Sequence, residues 1–260
     1  MAPYNSLQLR EIFHIEFLRS LARAMKGENY ALKGGANLRF FFKSFRYSED
    51  MDLDASGVGV AALKDIVMKI LDDGAFRDNL KPFGIERVVP SNIVKAKQTG
   101  TTQRFKIHLI TSSAEDLFTK IEFSRRGFSG DIKVETIDGA ILRTYKIAPL
   151  LAPHYGAESA VEQKLRALSG RTTVQARDIF DLYILDSQAG APVRRPDGMD
   201  GKTLDKAAER VFEVGFDQFK DTVVAYLDGE DQAAYNNAAV WDDIRLKTSQ
   251  FIEKARKYHA

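Results

Sequence analysis

The sequence contains no cysteine, which excludes disulfides, thiolate metal sites and cysteine nucleophiles together. Its four histidines, His14, His108, His154 and His259, are scattered without metal-ligand spacing, so any metal is expected on oxygen ligands. No apolar run is long enough to span a membrane, and the opening residues lack the charged-then-apolar pattern of a secretion signal. The expectation is a cytoplasmic protein without membrane contact. Neither sign of charge dominates: 38 Lys and Arg against 36 Asp and Glu leave +2, short of a dedicated nucleic-acid-binding balance. A Gly-x-Ser-x-Gly elbow and a Gly-x-x-x-x-Gly-Lys-Ser/Thr loop are both missing, which sets aside hydrolases of the first kind and P-loop NTPases.

What is present is ordinary globular composition, 44% hydrophobic and 28% charged, in 260 residues. That length suits two modest domains. Residues 6 to 25 carry apolar side chains at helical spacing, Tyr30 to Leu32 reads as a strand, and residues 36 to 42 suit a second helix after Gly34-Gly35. Helical spacing returns from Val60 to Leu71. The segments 87–89, 103–110, 117–123, 133–137 and 141–145 read as strands, four in succession suggesting an antiparallel meander. Beyond Pro149 the strand signals stop, and helices are expected over 159–168, 174–185, 204–212, 216–227 and 240–258, with a loop over 187–202. The reading is an α+β protein, with an α/β domain of mixed sheet and flanking helices over 1–150 and an all-α domain over 151–260.

The chemistry concentrates in Asp50-Met51-Asp52-Leu53-Asp54, which alternates acid and apolar residues. On an extended strand the three carboxylates share one face with Cβ atoms roughly 7 Å apart, close enough for two of them to share a divalent ion. A solvent-facing edge strand guarded by charge produces the same pattern. Ser48 and Arg46, two and four residues before Asp50, join that face if the extension continues. Gly34-Gly35, between a strand and a helix, leaves backbone N–H groups open to a phosphate. A glycine bend, an arginine, a serine and paired aspartates together describe a site for Mg²⁺ with a nucleoside triphosphate. A third carboxylate is expected from a neighbouring strand. Glu122, in the alternating Lys120-Ile121-Glu122-Phe123-Ser124, is the best candidate, with Glu135 and Asp138 as weaker rivals. Geometry alone does not separate Asp54 from Asp50 and Asp52.

Lys33-Gly34-Gly35-Ala36-Asn37-Leu38-Arg39, followed by Arg46-Tyr47-Ser48-Glu49-Asp50-Met51-Asp52, resembles the first motif of the AbiEii/AbiGii-type nucleotidyltransferase toxins. These belong to the polymerase-β-like nucleotidyltransferase superfamily. The usual Gly-Ser of that superfamily is Gly-Gly here, and fifteen positions separate Gly35 from Asp50, more than in its compact members. Downstream, Lys164 in Glu162-Gln163-Lys164-Leu165-Arg166, then Arg171, then Arg177-Asp178-Ile179-Phe180-Asp181-Leu182, resemble the family's lysine and Arg-Asp-x-x-Asp-Leu motifs. The likeness runs from about residue 28 to 186.

The resemblance implies a nucleotidyltransferase fold and a toxin of a toxin–antitoxin, abortive-infection system. It implies nucleotide transfer from an NTP to an RNA acceptor, above all the tRNA 3′ end, under restraint by a winged-helix DNA-binding antitoxin. Transfer to a protein or small-molecule hydroxyl, or a non-catalytic NTP-binding module, are the alternatives. Asp50, Asp52 and Glu122 are then expected to hold Mg²⁺, in a two-ion site that Mn²⁺ can also fill. Gly34, Gly35, Arg46, Ser48 and Lys164 are expected on the nucleotide, in a cleft between the domains. Asp178 is expected either to position Lys164 or to join the catalytic cluster, and Asp181 to serve as a tie between helices. Lys95, Lys97, Arg104, Lys106 and Arg194-Arg195 offer landing points for RNA phosphates, with Tyr145 or Tyr155 available for stacking.

Overall fold

The computed structural model describes residues 4–90, 97–187, 190, 195 and 199–257. Lys95 and Arg194, His259 and most of the expected 187–202 loop lie outside them. The chain forms two compact units, one of residues 1–37 and 47–155, the other of residues 38–46 and 156–260.

The first unit is built on a seven-stranded mixed sheet. In chain order its strands are β1 (Tyr30–Lys33), β2 (Met51–Ala55), β3 (Ile85–Pro90), β4 (Thr102–Thr111), β5 (Asp116–Ser124), β6 (Ile132–Thr136) and β7 (Leu151–Tyr155). They are arranged β3-β4-β5-β2-β1-β7-β6. The expected meander exists as β3-β4-β5. It joins β2 by a parallel pairing, while β1 runs antiparallel to β2. One sheet face is apolar and closed: Met51, Leu53, Phe105, Ile107, Leu109, Ile121 and Phe123 are all buried. The alternate residues of the same strands form the other face, which carries the chemistry.

Helix α1 (Ser6–Ala24) starts from a capping box, with Asn5 Oδ1 accepting from the Leu7 and Gln8 amides and Gln8 Oε1 from the Asn5 amide. It is buried on more than one side, through Ile12, Phe13, Ile15, Phe17 and Leu18. Helix α2 (Gly34–Phe41) follows β1 without a linker, and α3 (Val60–Asp72) and α4 (Gly74–Leu80) complete the run before β3.

Two strand readings are overturned. Residues 141–145 lie in α5 (Gly139–Tyr145), nucleated where Asp138 Oδ1 accepts from the Ala140 amide at 2.7 Å. The strand signals do not stop at Pro149 either. β7 pairs in parallel with β1 and antiparallel with β6, with Pro153 opposite Val134.

The second unit is helical: α6 (Ala157–Gly170), α7 (Ala176–Ser187), α8 (Gly201–Arg210), α9 (Phe216–Thr222), α10 (Gly229–Tyr235) and α11 (Ala238–Lys257). Its core gathers Leu165, Leu168, Phe180, Leu182, Phe219 and Trp241, the last two stacked at 4.3 Å between centroids. The 38–46 segment supplies Leu38 to that core and Phe45, whose ring meets Phe180 edge-on at 5.5 Å. Arg210 closes the C-terminal end of α6, its Nη1 donating to the carbonyls of Leu168 at 3.0 Å and Arg171 at 2.7 Å.

Candidate active site

Strand register brings the sequence-predicted carboxylates of the first unit together. Asp52 on β2 lies directly opposite Glu122 on β5, in parallel pairing. Asp50 sits just before β2, next to Lys120 on β5. Two cations hold this cluster. Lys120 Nζ is 2.9 Å from Asp50 Oδ2 and 4.0 Å from Glu122 Oε2, and Arg104 Nε donates to Glu122 Oε2 at 2.7 Å. Lys120 and Arg104 share the carboxylates' face because Lys120 is two residues from Glu122 and Arg104 is its cross-strand partner. The same alternation that singled out Glu122 could have found both.

Burial pushes the Asp52 carboxyl above the usual carboxylate range. Lys120 counters this, and the nearby charges of Asp50 and Glu122 add to the rise. A half-buried carboxylate among like charges is an environment that a cation relieves. Gly34, the first residue of α2, closes the other side. Its φ of +69° belongs to the left-handed region, and a Cβ there would stand 3.0 Å from Asp52 Oδ2. The glycine therefore lets the N-terminus of α2, whose first amides have no partner within the helix, lie against Asp52.

Among the described residues, no three His, Cys, Asp or Glu side chains stand in a ready-made metal cluster. The physical reason is visible in the contacts: Lys120 and Arg104 draw Asp50 and Glu122 onto themselves. The residues fit a hard divalent ion all the same. The donors are all oxygen, and an ammonium already stands as counter-cation to Asp50 beside Glu122.

Two neighbouring residues, Ser48 and Arg46, stand differently from the sequence reading, which left Asp54 open. The chain bends at Glu49 and Asp50, so the extension does not reach back to Ser48 and Arg46. Ser48 Oγ donates to the Asp50 carbonyl at 2.8 Å. Arg46 belongs to the second unit. Asp54 faces the same way as Asp52 but is fully engaged, with Lys33 Nζ on Oδ1 and the Tyr155 hydroxyl donating to Oδ2 at 2.6 Å. It is a brace for the strand. Of the rival carboxylates, Glu135 lies on β6 with Oε2 3.3 Å from His154 Nε2, and Asp138 caps α5. Tyr145 and Tyr155 are buried, so neither offers a ring for stacking.

The second unit assembles its own charged cluster from the downstream motifs. Lys164 on α6 places Nζ 2.6 Å from Asp181 Oδ2 and 3.1 Å from Asp178 Oδ1. Burial alone would lower the lysine's pKa, but Asp181 and Asp178 outweigh it and the net shift is upward, so the ammonium stays charged. Asp181 is fully buried. Desolvation is its largest single influence, yet Arg46 and Lys164 together hold it below the usual range. Arg46 Nη2 meets Asp181 Oδ1 at 2.9 Å and Oδ2 at 3.2 Å. Arg171 Nη1 is 2.9 Å from Asp178 Oδ2 but is not aligned as a hydrogen bond, so that buried oxygen has no donor aimed at it. Three cations thus face two carboxylates. Arg177, which would be costly if buried alone, is exposed.

The fold is that of nucleotidyltransferases. JHP933 from Helicobacter pylori superposes with a TM-score of 0.56 at 17% identity, covering 98% of this chain and 93% of that one. MenT4, a nucleotidyltransferase toxin from Mycobacterium tuberculosis, superposes with a TM-score of 0.61 at 16% identity, covering 98% of this chain and 85% of that one. At such identities these likenesses speak for the fold alone. Among curated proteins none matches at a significant level. Residues 16–248 match the family described as "Nucleotidyl transferase AbiEii toxin, Type IV TA system", and the chain belongs to it. It is a nucleotidyltransferase of a toxin–antitoxin family, and membership implies an NTP as donor and an antitoxin as partner. Among the described residues, no helix is long and apolar enough to cross a membrane.

Proposed function

We propose that the protein transfers a nucleotide from an NTP to a hydroxyl of RNA, the tRNA 3′ end above all. The acceptor oxygen attacks the α-phosphorus, the bond from that phosphorus to the bridging oxygen of the β-phosphate breaks, and pyrophosphate leaves. Asp50, Asp52 and Glu122 are the residues that would hold Mg²⁺. When bound, the ion supplies Lewis-acid polarisation of the phosphate and neutralises developing charge. The amides of Gly34 and Gly35 take phosphate oxygens at the start of α2. Glu122 takes the acceptor's proton on Oε1, the oxygen that Arg104 leaves uncommitted. Lys164, held by Asp178 and Asp181, offsets charge on the triphosphate, while Arg46 acts through its hold on Asp181. Ser48 positions Asp50 through its carbonyl. A winged-helix antitoxin would restrain the activity in the cytoplasm.

The observation that carries this reading is the pairing of Asp52 with Glu122 beside a glycine that no other residue can replace without strain. The experiment is [α-³²P]-NTP incubated with total RNA and the wild-type chain. Label is expected in tRNA and is expected to vanish in Asp50→Ala and Asp52→Ala. Transfer persisting in both variants, or label in a protein band instead, would refute the proposal.

A further inference from the structure

The sheet face that carries the carboxylates continues past them over β5, β4 and β3. One row from Glu122, Lys120 lies opposite Lys106. In the next row Phe118, His108 and Val89 stand side by side across the three strands, and beyond them come Asp116, Ile110 and Arg87. Phe118 is 60% exposed and stacks on His108, with centroids 4.7 Å apart and planes 16° from parallel. Asp116 Oδ1, 2.6 Å from His108 Nε2, fixes the orientation of that ring. Val89 is 40% exposed beside them.

An exposed aromatic ring, already backed by a second ring, presents one free π-face. Lys106 and Arg87 flank it, both exposed, and no ion pair engages either among the described residues. Lys106 directly opposes Lys120, whose ammonium is already turned to Asp50, so Lys106 is the member of the pair left for an incoming anion. Aromatic rings and unpaired cations on a sheet face that leads into a phosphoryl-transfer site form the kind of surface that binds single strands by stacking and backbone contact.

We propose that this face, from Lys106 to Phe118 and Arg87, binds the single-stranded 3′ segment of the nucleic-acid acceptor. A base stacks on Phe118, and backbone phosphates meet Lys106 and Arg87. The inference rests on the reading of RNA as acceptor. Phe118 is four residues from Glu122 along β5, about 13 Å by strand rise. That is about four stacked nucleotides at a rise of about 3.4 Å, and fewer in an extended strand. The terminal hydroxyl can therefore lie at the carboxylates while upstream nucleotides lie on the rings.

The test is fluorescence anisotropy of a labelled single-stranded oligoribonucleotide with the full chain, without NTP or metal. In parallel, [α-³²P]-NTP transfer to the same oligonucleotide is followed. Phe118→Ala is expected to weaken binding about 5- to 150-fold, the range of base–aromatic stacking, and Phe118→Tyr to retain it. Lys106→Ala and Arg87→Ala are each expected to lower the salt slope by about 0.7. Wild-type affinity and salt slope in all of these variants would overturn the proposal, even with transfer to RNA intact. If the substitutions instead abolish self-association in sedimentation and leave RNA affinity unchanged, the face is a contact between copies and the proposal also falls. RNA bound through Phe118 but never labelled would uphold the surface and refute RNA as acceptor. Should Phe118→Ala fail to fold, the two exposed cation variants carry the test.

Discussion

Replacing Lys120 by methionine removes the one ammonium that bridges the carboxylates of the first unit. Two unit charges about 4 Å apart interact by about 4 kcal/mol at an effective dielectric of about 20. The Lys120 and Asp50 side chains are 28% and 31% exposed, so solvent screening reduces the usable difference to about 1–2 kcal/mol. Lys120 competes with any divalent ion for the same oxygens. Its loss is therefore expected to tighten Mn²⁺ binding about 5- to 30-fold. Proton linkage should change with it. In the wild type the raised Asp52 carboxyl keeps its proton to higher pH than in the unfolded chain, so stability from that proton falls as pH rises through the raised value. Metal binding displaces the proton and strengthens over the same interval. Loss of Lys120 removes an influence that lowers it, so the carboxyl rises further and more protons should leave per metal bound over that interval. Calorimetric titration of wild type and Lys120→Met with Mn²⁺ alone, in buffers of different ionisation enthalpy, measures both quantities. Equal or weaker metal binding in the variant, with unchanged proton release, would refute the reasoning.

Arg46→Met strips Asp181 of its buried guanidinium while Lys164 remains, and is expected to cost about 1.5–3 kcal/mol in urea unfolding; a loss under about 0.5 kcal/mol would deny the pair that weight. Gly34→Ala forces a left-handed φ on a residue whose Cβ meets Asp52, and is expected to cost about 1–2 kcal/mol of stability. Nucleotide transfer should drop more than tenfold in the same variant, and unaltered turnover would show that the close approach is dispensable. His14, buried and with Nε2 2.8 Å from Thr119 Oγ1, has its pKa lowered to about 3 by burial first and by Arg10 second. The unfolded chain takes up that proton below about pH 6.5 and the folded one does not. Stability present above pH 6.5 should fall by about 4–5 kcal/mol towards pH 3. Chemical denaturation across that window should be flatter in His14→Gln, and identical slopes would exclude His14 as the source.

The acidic strand was legible because alternation in residues 50–54 signals an extended backbone, although Asp50 falls in the bend before β2, and Glu122 because its own strand alternates too. Their register could not be read, since it depends on which strands pair, and β2 pairs with β5 across a long stretch of intervening chain. Alternation puts Lys120 on the face of Glu122 and Arg104 on one face of its own strand, but only the sheet register shows which carboxylate each meets. The fate of Ser48 and Arg46 turned on two bent residues, Glu49 and Asp50, that no periodicity marks. Residues 141–145 are apolar enough for a strand, but Asp138 supplies a helix cap, and seven residues are too few to display helical spacing. β7 was hidden by Pro153, which removes a ladder donor, and α4 by its brevity, though Asp73 Oδ2 caps it at the Phe76 amide. Nothing in the sequence sets exposed Phe118 apart from buried Tyr145 and Tyr155. Aromatic residues on alternate strand positions differ in exposure by which face they take, and that face is fixed by the sheet.

The short 38–46 segment has a consequence for how the protein can be taken apart. The backbone passes from one unit to the other three times, after Asn37, Arg46 and Tyr155. A fragment beginning at Gly156 would lack Leu38, Phe45 and Arg46, leaving a hole in its interior and Asp181 with Lys164 but without its guanidinium. A single proteolytic cut cannot liberate either half intact, and a split version of the toxin would have to carry a duplicate of those nine residues on the helical piece.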